Sequence, residues 1–233
     1  MDAKNLEDLE VKINIEFKDK SLLKNAFIHR SYLNEHPEEK SSHNERLEFL
    51  GDAVLAFVVS EYLFKNYPNH PEGDLTNFRA SIVCARSLAM VAKDLDLGSY
   101  LLLSRGEEAT GGRDRQYLLA NTFEALLGAI YLDQGTEKAN NFVQKYLLPH
   151  LSKIIEQELY KDYKSKLQEL SQEKLSITPI YKLLSETGPD HSKIFKMGVF
   201  LEEKLVAEGE GTSKQSAEQE AAKAALKNWP ENP

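Results

Sequence analysis

The amino-acid sequence predicts an all-α domain followed by a small α+β domain, and three observations lead to this prediction. Apolar residues recur at three- and four-residue spacing through residues 1–157. From residue 179 onward, the pattern changes to the two-residue period of β-strands. An alanine-lined helix then follows, so the C-terminal part has the order α-β-β-β-α, which is typical of helices packed on one face of a sheet.

Turn-forming clusters divide the N-terminal part into separate helices. The first cluster is at 66–73, and the second, at 104–115, is charged and glycine-rich, which predicts a mobile loop. Helices are expected over 118–133 and over roughly 137–157. The single cysteine, Cys84, falls in an apolar run and is predicted to be a buried core thiol.

The C-terminal domain is predicted over 163–229, after a short polar linker at 158–162. Its expected elements, in chain order, are a helix at 163–174, strands at 179–187, 194–201 and 204–209, and a helix from Ser213 to about Asn228. Thr212 or Ser213 is the predicted N-cap of the last helix, and Thr212 with Gln215 fits a capping box. Its alanine stripe predicts close packing on the sheet.

Composition and charge limit the possible functions. The net charge is −8, and even the part after residue 159 holds 11 basic against 12 acidic residues, so a strongly basic nucleic-acid-binding domain is missing. No apolar run is long enough to span a bilayer, and the N-terminus lacks the pattern of a secretory signal. One cysteine excludes an intrachain disulfide and a cysteine-based zinc site, which fits the reducing cytoplasm.

An acidic helix face is the first candidate functional feature. In the helix predicted over 44–55, Glu45, Glu48 and Asp52 fall within about 60° of one another, away from the apolar face. At an effective dielectric constant near 20, each pair of carboxylates about 6 Å apart costs on the order of 3 kcal/mol. A divalent cation bound by oxygen ligands, Mg²⁺ or Mn²⁺, would remove this cost. The alternative is a solvated acidic face, and spacing alone leaves both open.

A second segment adds to the metal-binding interpretation. In the apolar helix 118–133, Glu124 is the only charged residue before Asp133, and Asn121 lies one turn earlier. A lone carboxylate in such a helix is costly unless a partner or a metal satisfies it. Small residues, Ala125 and Gly128, would let another helix approach closely on that side. If the two helices pack together, four oxygen-bearing side chains form one cage.

Four motifs in the chain resemble those of the ribonuclease III family. The segment NERLEFLGD (44–52) matches the signature of that family nearly letter for letter. HRSY (29–32), EGDL (72–75) and LLANTFEALLGAIYLD (118–133) fit the same family. The resemblance covers essentially the whole chain, and it implies an all-α endonuclease domain followed by a double-stranded-RNA-binding domain.

The resemblance implies specific roles for residues of the first domain. Glu48, Asp52, Asn121 and Glu124 match the metal ligands, with Asp52 and Glu124 as catalytic residues. Glu45 and Glu72 match residues that position the RNA. The family usually has Asp where this chain has Asn121, so the resemblance implies weaker binding of Mg²⁺. It also implies a homodimer, for which Phe49 is the candidate residue inserted into the partner.

Further implied contacts lie in the second domain, where such domains recognise the RNA backbone by shape. They are Gln168, Glu169 and Gln172 on the first helix, His191 between the first two strands, and Ser213, Lys214 and Gln215 at the last helix. The family commonly has a second lysine where this chain has Gln215, so modest affinity is expected.

The function implied by the resemblance is Mg²⁺-dependent cleavage of double-stranded RNA, in ribosomal and other RNA processing. The products would carry 5′-phosphates and two-nucleotide 3′ overhangs, and no organic cofactor or membrane is involved. One rival is a non-cleaving RNA-binding protein on the same folds, which Asn121 and the thin basic cluster favour. A second rival, an acidic helical scaffold, follows from net charge alone and leaves the α-β-β-β-α domain unexplained. His29 and His43 are expected to be structural.

Overall fold

The computed structural model describes residues 4–156, 162–189 and 192–229. The chain divides into two compact units, residues 1–160 and 161–233. The predicted order of an all-α region followed by α-β-β-β-α is confirmed. Across the described ranges, every helix is too short or too polar to cross a membrane.

The N-terminal unit consists of nine α-helices and three short 3₁₀ turns among its described residues. The helices are α1 (Leu6–Ile13), α2 (Lys20–Ala26), α3 (Arg30–Glu35), α4 (Glu45–Asn66), α5 (Glu72–Ile82), α6 (Ala85–Asp94), α7 (Arg105–Ala109), α8 (Gln116–Tyr146) and α9 (Leu151–Glu156). Helices α4 and α8 form the centre of this unit, and their apolar faces supply much of one continuous core. The 31-residue α8 is interrupted at Gly135, whose backbone (φ 79°, ψ −174°) is not helical.

The close packing of α4 on α8 depends on two glycines. A Cβ atom on Gly51 would overlap the carbonyl oxygen of Glu124, and one on Gly128 would overlap the carbonyl oxygen of Leu47. Each helix therefore brings its backbone against the backbone of the other. This is the close approach for which the small residues of 118–133 were singled out.

Three expectations for the N-terminal unit were wrong. The segment 104–115 is ordered as α7 and a 3₁₀ turn, because the Arg113 guanidinium donates to the carbonyl oxygens of Gly98 and Leu101. Cys84 is exposed, because the chain turns between α5 and α6 at this residue instead of continuing one helix. The helix expected over 137–157 is broken at 147–150, where Pro149 cannot continue the hydrogen-bond ladder.

The C-terminal unit is a three-stranded antiparallel sheet with helices before and after it. Its elements are α10 (Tyr163–Leu175), β1 (Ile180–Thr187), β2 (Ile194–Leu201), β3 (Lys204–Gly211) and α11 (Lys214–Lys227), with strand order β1-β2-β3. Most of the predicted linker, 158–162, lies outside the described residues. Asp162 is the N-cap of α10, and its side chain accepts a hydrogen bond from the Ser165 amide.

The last helix packs closely on the sheet through small residues. Ala217 and Ala221 are fully buried, and a Cβ atom on Gly209 of β3 would overlap backbone atoms of both. The predicted capping box on Thr212 and Gln215 was wrong by one residue. Ser213 is the N-cap and Ser216 completes the box, because the amide and hydroxyl of Ser213 pair with the Ser216 side chain.

Candidate functional site

A polar cleft opens where helices α3, α4 and α8 begin. The cavity measures about 350 Å³, and its walls include Arg30 from α3, Glu45 and Glu48 from α4, and Tyr117 and Asn121 from α8. Three sequence-predicted site residues, Glu45, Glu48 and Asn121, therefore meet in one cleft although two distant stretches of the chain supply them.

Glu48 is a half-buried carboxylate in the wall of this cleft. Burial raises the pKa of Glu48, and the negative charges of Glu45 and Asp52 raise it further. A hydrogen bond with the Asn121 side chain opposes this rise. The amide of Asn121 therefore contacts the same carboxylate that the sequence placed beside it in a predicted ligand set.

Glu124 has the most perturbed carboxyl group of the site. Burial raises the pKa of Glu124 to about 7, and the charges of Asp52 and Glu48 contribute to the rise. Both acidic neighbours come from α4, whereas Glu124 is on α8. The overlap that a Gly51 side chain would make with the Glu124 backbone explains why these carboxylates from two helices come so close.

The chemical nature of these side chains fits a divalent cation that prefers oxygen ligands. Three carboxylates and one amide are hard donors suited to Mg²⁺ or Mn²⁺. The pKa values of Glu48 and Glu124 are raised first by burial and then by neighbouring carboxylates, and a nearby cation would oppose both effects. Among the residues described, no three His, Cys, Asp or Glu side chains form a ready-made metal-binding group. The side chains that match the ligands of the family would have to come closer together to hold one ion.

Four predicted residues of the N-terminal unit are not among those that line this cleft. Asp52 and Glu124 are close enough to Glu48 for their charges to interact, whereas Glu72 and Phe49 lie elsewhere. Glu72 is the first residue of α5, where its carboxylate accepts a hydrogen bond from the Thr76 hydroxyl at 2.9 Å. Phe49 extends into solvent with 81% of its surface exposed, next to Phe57 at 57%. Within the described ranges of the single chain, nothing covers these two side chains.

The predicted RNA contacts of the C-terminal unit are on its surface. Gln168, Glu169 and Gln172 are exposed on α10, and Ser213, Lys214 and Gln215 are exposed at the start of α11. Free N–H groups and the helix dipole favour an anion at this end of α11. His191 lies outside the described residues.

Sequence reasoning named the HRSY segment but did not predict that it forms a wall of the cleft. His29 caps α3 through a hydrogen bond from the Ser31 amide, and the Ser104 amide donates to the Ser31 hydroxyl at 3.1 Å. These contacts hold the HRSY segment against the chain that leads into α7. The HRSY motif itself was the available signal. Its contact with Ser104, far along the chain, could not be predicted from any local pattern.

Family models match both units of the chain. A model described as Ribonuclease-III-like matches residues 19–151, and the Double-stranded RNA binding motif matches residues 163–228. A ribonuclease 3 from Pelotomaculum thermopropionicum is 50% identical over 218 residues, which cover 94% of this chain and 90% of that protein. The chain belongs to the ribonuclease III family. The ribonuclease 3 of Streptococcus gordonii is 48% identical, with 96% of each chain covered.

Solved structures agree with the assignment of the ribonuclease III domain. The nuclease domain of ribonuclease III from Campylobacter jejuni superposes with a TM-score of 0.58 at 43% identity, covering 62% of this chain and 97% of that one. That structure is described for flexibility in a region involved in dimer formation. The present chain is thus an endoribonuclease with its own double-stranded-RNA-binding domain, in a family that generally depends on a divalent metal.

Proposed function

We propose that this ribonuclease III uses Mg²⁺, with Mn²⁺ as a substitute, held by Glu48, Asp52, Asn121 and Glu124. The observation that supports this most strongly is the pKa of Glu124, raised to about 7 by burial and by Asp52 and Glu48. Such crowding of like charges is unfavourable in an isolated protein and favourable around a cation. Products with 5′-phosphates and two-nucleotide 3′ overhangs are part of the proposal.

Each side chain of the cluster has a distinct part in the proposed reaction. When bound, the metal polarises the phosphoryl group and stabilises the developing charge on the leaving oxygen. Asp52 on α4 and Glu124 on α8 are the proposed catalytic residues because they match the catalytic positions of the family and because the charge of Asp52 contributes to the raised pKa of Glu124. Asn121 orients Glu48 through their hydrogen bond, and Glu45 and Glu72 position the RNA.

We also propose that the enzyme is a homodimer. An apolar cavity of about 630 Å³ beside Phe49 is lined by Leu22, Leu50 and Leu132 among others, and it has room for an aromatic ring. Phe49 of a second copy is the proposed occupant, since burying an exposed phenylalanine contributes about 2–3 kcal/mol. Two copies place two sites on one duplex, one for each strand, which accounts for staggered cuts.

The C-terminal unit supplies affinity in this proposal. Gln168, Glu169 and Gln172 face the minor groove, His191 a neighbouring one, and Ser213, Lys214 and Gln215 the phosphates between them. With Lys214 as the one lysine of that last group, affinity is modest. Processing of ribosomal RNA precursors and other RNAs in the cytoplasm is the cellular role that the family resemblance favours.

One cleavage assay tests the proposal. A long RNA duplex is incubated with the protein with and without Mg²⁺, and the ends of the products are mapped. Metal-dependent fragments with 5′-phosphates and short 3′ overhangs are expected, whereas retarded but uncut duplex would favour the non-cleaving RNA-binding protein. Glu124→Gln is expected to abolish cleavage and leave duplex binding nearly unchanged. An equal loss of both would contradict the role of Glu124.

A further inference from the structure

Arg30 is the cation at the edge of the carboxylate cleft. It is the first residue of α3, and among the residues that line the cleft it is the one lysine or arginine. Glu45, Glu48 and Glu107 line the same cleft, so a negatively charged RNA strand meets mostly negative charge there. We propose that Arg30 binds a backbone phosphate of the RNA strand, adjacent to the phosphate that is cut. This inference rests on the proposed function of the cleft.

The backbone that carries Arg30 is held firmly in place. His29 and Ser31, the residues on either side, are joined by a hydrogen bond of 2.8 Å between Nδ1 and Oγ. The Ser104 amide donates to the same Ser31 hydroxyl, and the His29 amide donates to the Leu102 carbonyl oxygen at 3.1 Å. The position of the Arg30 Cα atom is therefore set, and only its side chain has freedom to move.

The side chain of Arg30 is only loosely paired. Its Nη1 atom lies 3.7 Å from Glu45 Oε1, beyond hydrogen-bond distance, and 71% of the side chain is exposed. The surface pair between Lys24 and Glu39 is much shorter, at 2.6 Å. A solvated pair as loose as that of Arg30 contributes little to stability, so exchange of Glu45 for a phosphate costs little.

A second arginine, Arg115, pairs with Glu107 of the cleft wall and is already engaged. It also donates to the Thr110 side chain and carbonyl oxygen. Its charge is therefore matched within the protein, in contrast to that of Arg30. A guanidinium also suits the task, because it can donate two parallel hydrogen bonds to one phosphate.

The place where Arg30 meets α4, at Glu45, selects the phosphate that it contacts. Its carboxylate neighbour, Glu45, precedes Glu48 by three residues, which is about 4.5 Å along the helix axis. A phosphate bound by Arg30 therefore lies beside the cluster rather than within it, which leaves the scissile phosphate to the carboxylates. Arg30 then contributes to the binding of the RNA and to its register in the cleft. This contribution is the same in the ground state and in the transition state of cleavage.

The test compares Arg30→Gln and Arg30→Lys with Lys65→Gln in the full-length chain. Lys65 is also an exposed cation paired with a glutamate on α4, Glu61, but it lies about 30 Å from Glu45 along the helix. Two quantities are measured for a long RNA duplex. The first is the dependence of Kd on salt concentration, measured in buffer with Ca²⁺. The second is the pair kcat and KM for cleavage, measured in buffer with Mg²⁺.

For Arg30→Gln, KM is expected to rise about 10-fold with kcat nearly unchanged, as for the loss of one charge-assisted hydrogen bond. The slope of log Kd against log salt should fall by about 0.9, the value for one phosphate contact on duplex DNA. Arg30→Lys should keep the slope and raise KM less, and Lys65→Gln should change neither. An unchanged slope and KM in Arg30→Gln, or a fall in kcat alone, would overturn the proposal. If the unmodified protein leaves the duplex uncut, the proposed function fails, and the slopes still decide the role of Arg30.

Discussion

Helices α4 and α8 in the N-terminal unit and helix α11 on its sheet in the C-terminal unit use the same packing device for opposite purposes. In both places a glycine lets one backbone touch another: Gly51 against Glu124, and Gly209 against Ala217 and Ala221. In the first unit the contact crowds carboxylates from two helices together. In the second it brings α11 close to the sheet, and the polar side chains of α10 and α11 remain exposed to solvent.

The difference follows from what each unit has to recognise. Cleavage of a phosphodiester requires charged groups held in a half-buried cluster, and this cluster is electrostatically unfavourable without a cation. Recognition of an A-form helix by its shape requires only exposed donors and acceptors on rigid elements. The carboxylate cluster therefore lowers the stability of the N-terminal unit, and the C-terminal unit has no corresponding cost among its predicted RNA contacts.

The largest expected effect comes from Gly51→Ala. The new Cβ atom meets the backbone carbonyl of Glu124, which cannot yield like a flexible side chain, so α4 and α8 must separate. We expect a loss of more than about 3 kcal/mol in the free energy of unfolding of the N-terminal unit and loss of cleavage. Urea denaturation and the cleavage assay measure the two effects. A fully active Gly51→Ala protein would show that the close approach does not place the carboxylates.

Gly209→Ala makes the same change in the C-terminal unit and should have a different consequence. Its Cβ atom meets the backbone of α11, and we expect that unit to lose about 2–3 kcal/mol. Duplex affinity should fall, while the unfolding transition of the N-terminal unit stays in place. If cleavage of a saturating duplex concentration were lost as well, the separation of roles between the units would be wrong.

Glu124→Gln should stabilise the metal-free protein in a pH-dependent way. Because the pKa of Glu124 is about 7 in the folded state and 4.5 is its ordinary value, folding is penalised as pH rises above 4.5, and the penalty is complete above pH 7. After allowance for partial exposure, the variant should gain about 1–2 kcal/mol at pH 8 and almost nothing at pH 4. Thermal unfolding in chelator measures this gain. Glu137→Gln, an exposed change on the same helix, is the control, and an equal gain in both variants would contradict the crowding of charge.

Asn121→Asp adds one more negative charge to the carboxylate cluster of the N-terminal unit and should strengthen its binding of Mg²⁺. The concentration of Mg²⁺ for half-maximal cleavage is expected to fall about 3- to 10-fold, which corresponds to about 1 kcal/mol. Metal titrations of the cleavage rate measure it. No change would mean that residue 121 lies outside the metal-binding set.

Gly73→Ala has the smallest expected effect on stability. It tests whether a methyl group added to any helix of the protein would be destabilising. No atom lies within 4 Å of a Cβ atom at this position in α5, and the backbone is helical. A gain of about 0.5–1 kcal/mol is expected, because alanine loses less conformational freedom on folding than glycine. Urea denaturation measures it beside Gly51→Ala, and destabilisation would mean that the losses at Gly51 and Gly209 are not specific to their close contacts.

Local patterns in the sequence predicted the elements of the C-terminal unit closely and only part of the helices of the N-terminal unit. The predicted strand at 194–201 agrees with β2, Ile194–Leu201, and the helix at 163–174 differs from α10 by one residue. The errors fell where local patterns were ambiguous or overlooked. The apolar run around Cys84 hid a turn between two helices, and the glycine-rich 104–115 is ordered by Arg113 contacts that no local pattern contains.

The sequence by itself determined the periodicities, the acidic face of α4, the isolated Glu124 in the apolar segment 118–132 and the motifs of the ribonuclease III family, because these depend on spacing along one helix or strand. Only the tertiary structure decided that Gly51 and Gly128 bring those helices into backbone contact, that the pKa of Glu124 rises to about 7, and that Arg30 borders the cleft. These properties depend on distances and burial between segments far apart in the chain, and they arise only when the core packs.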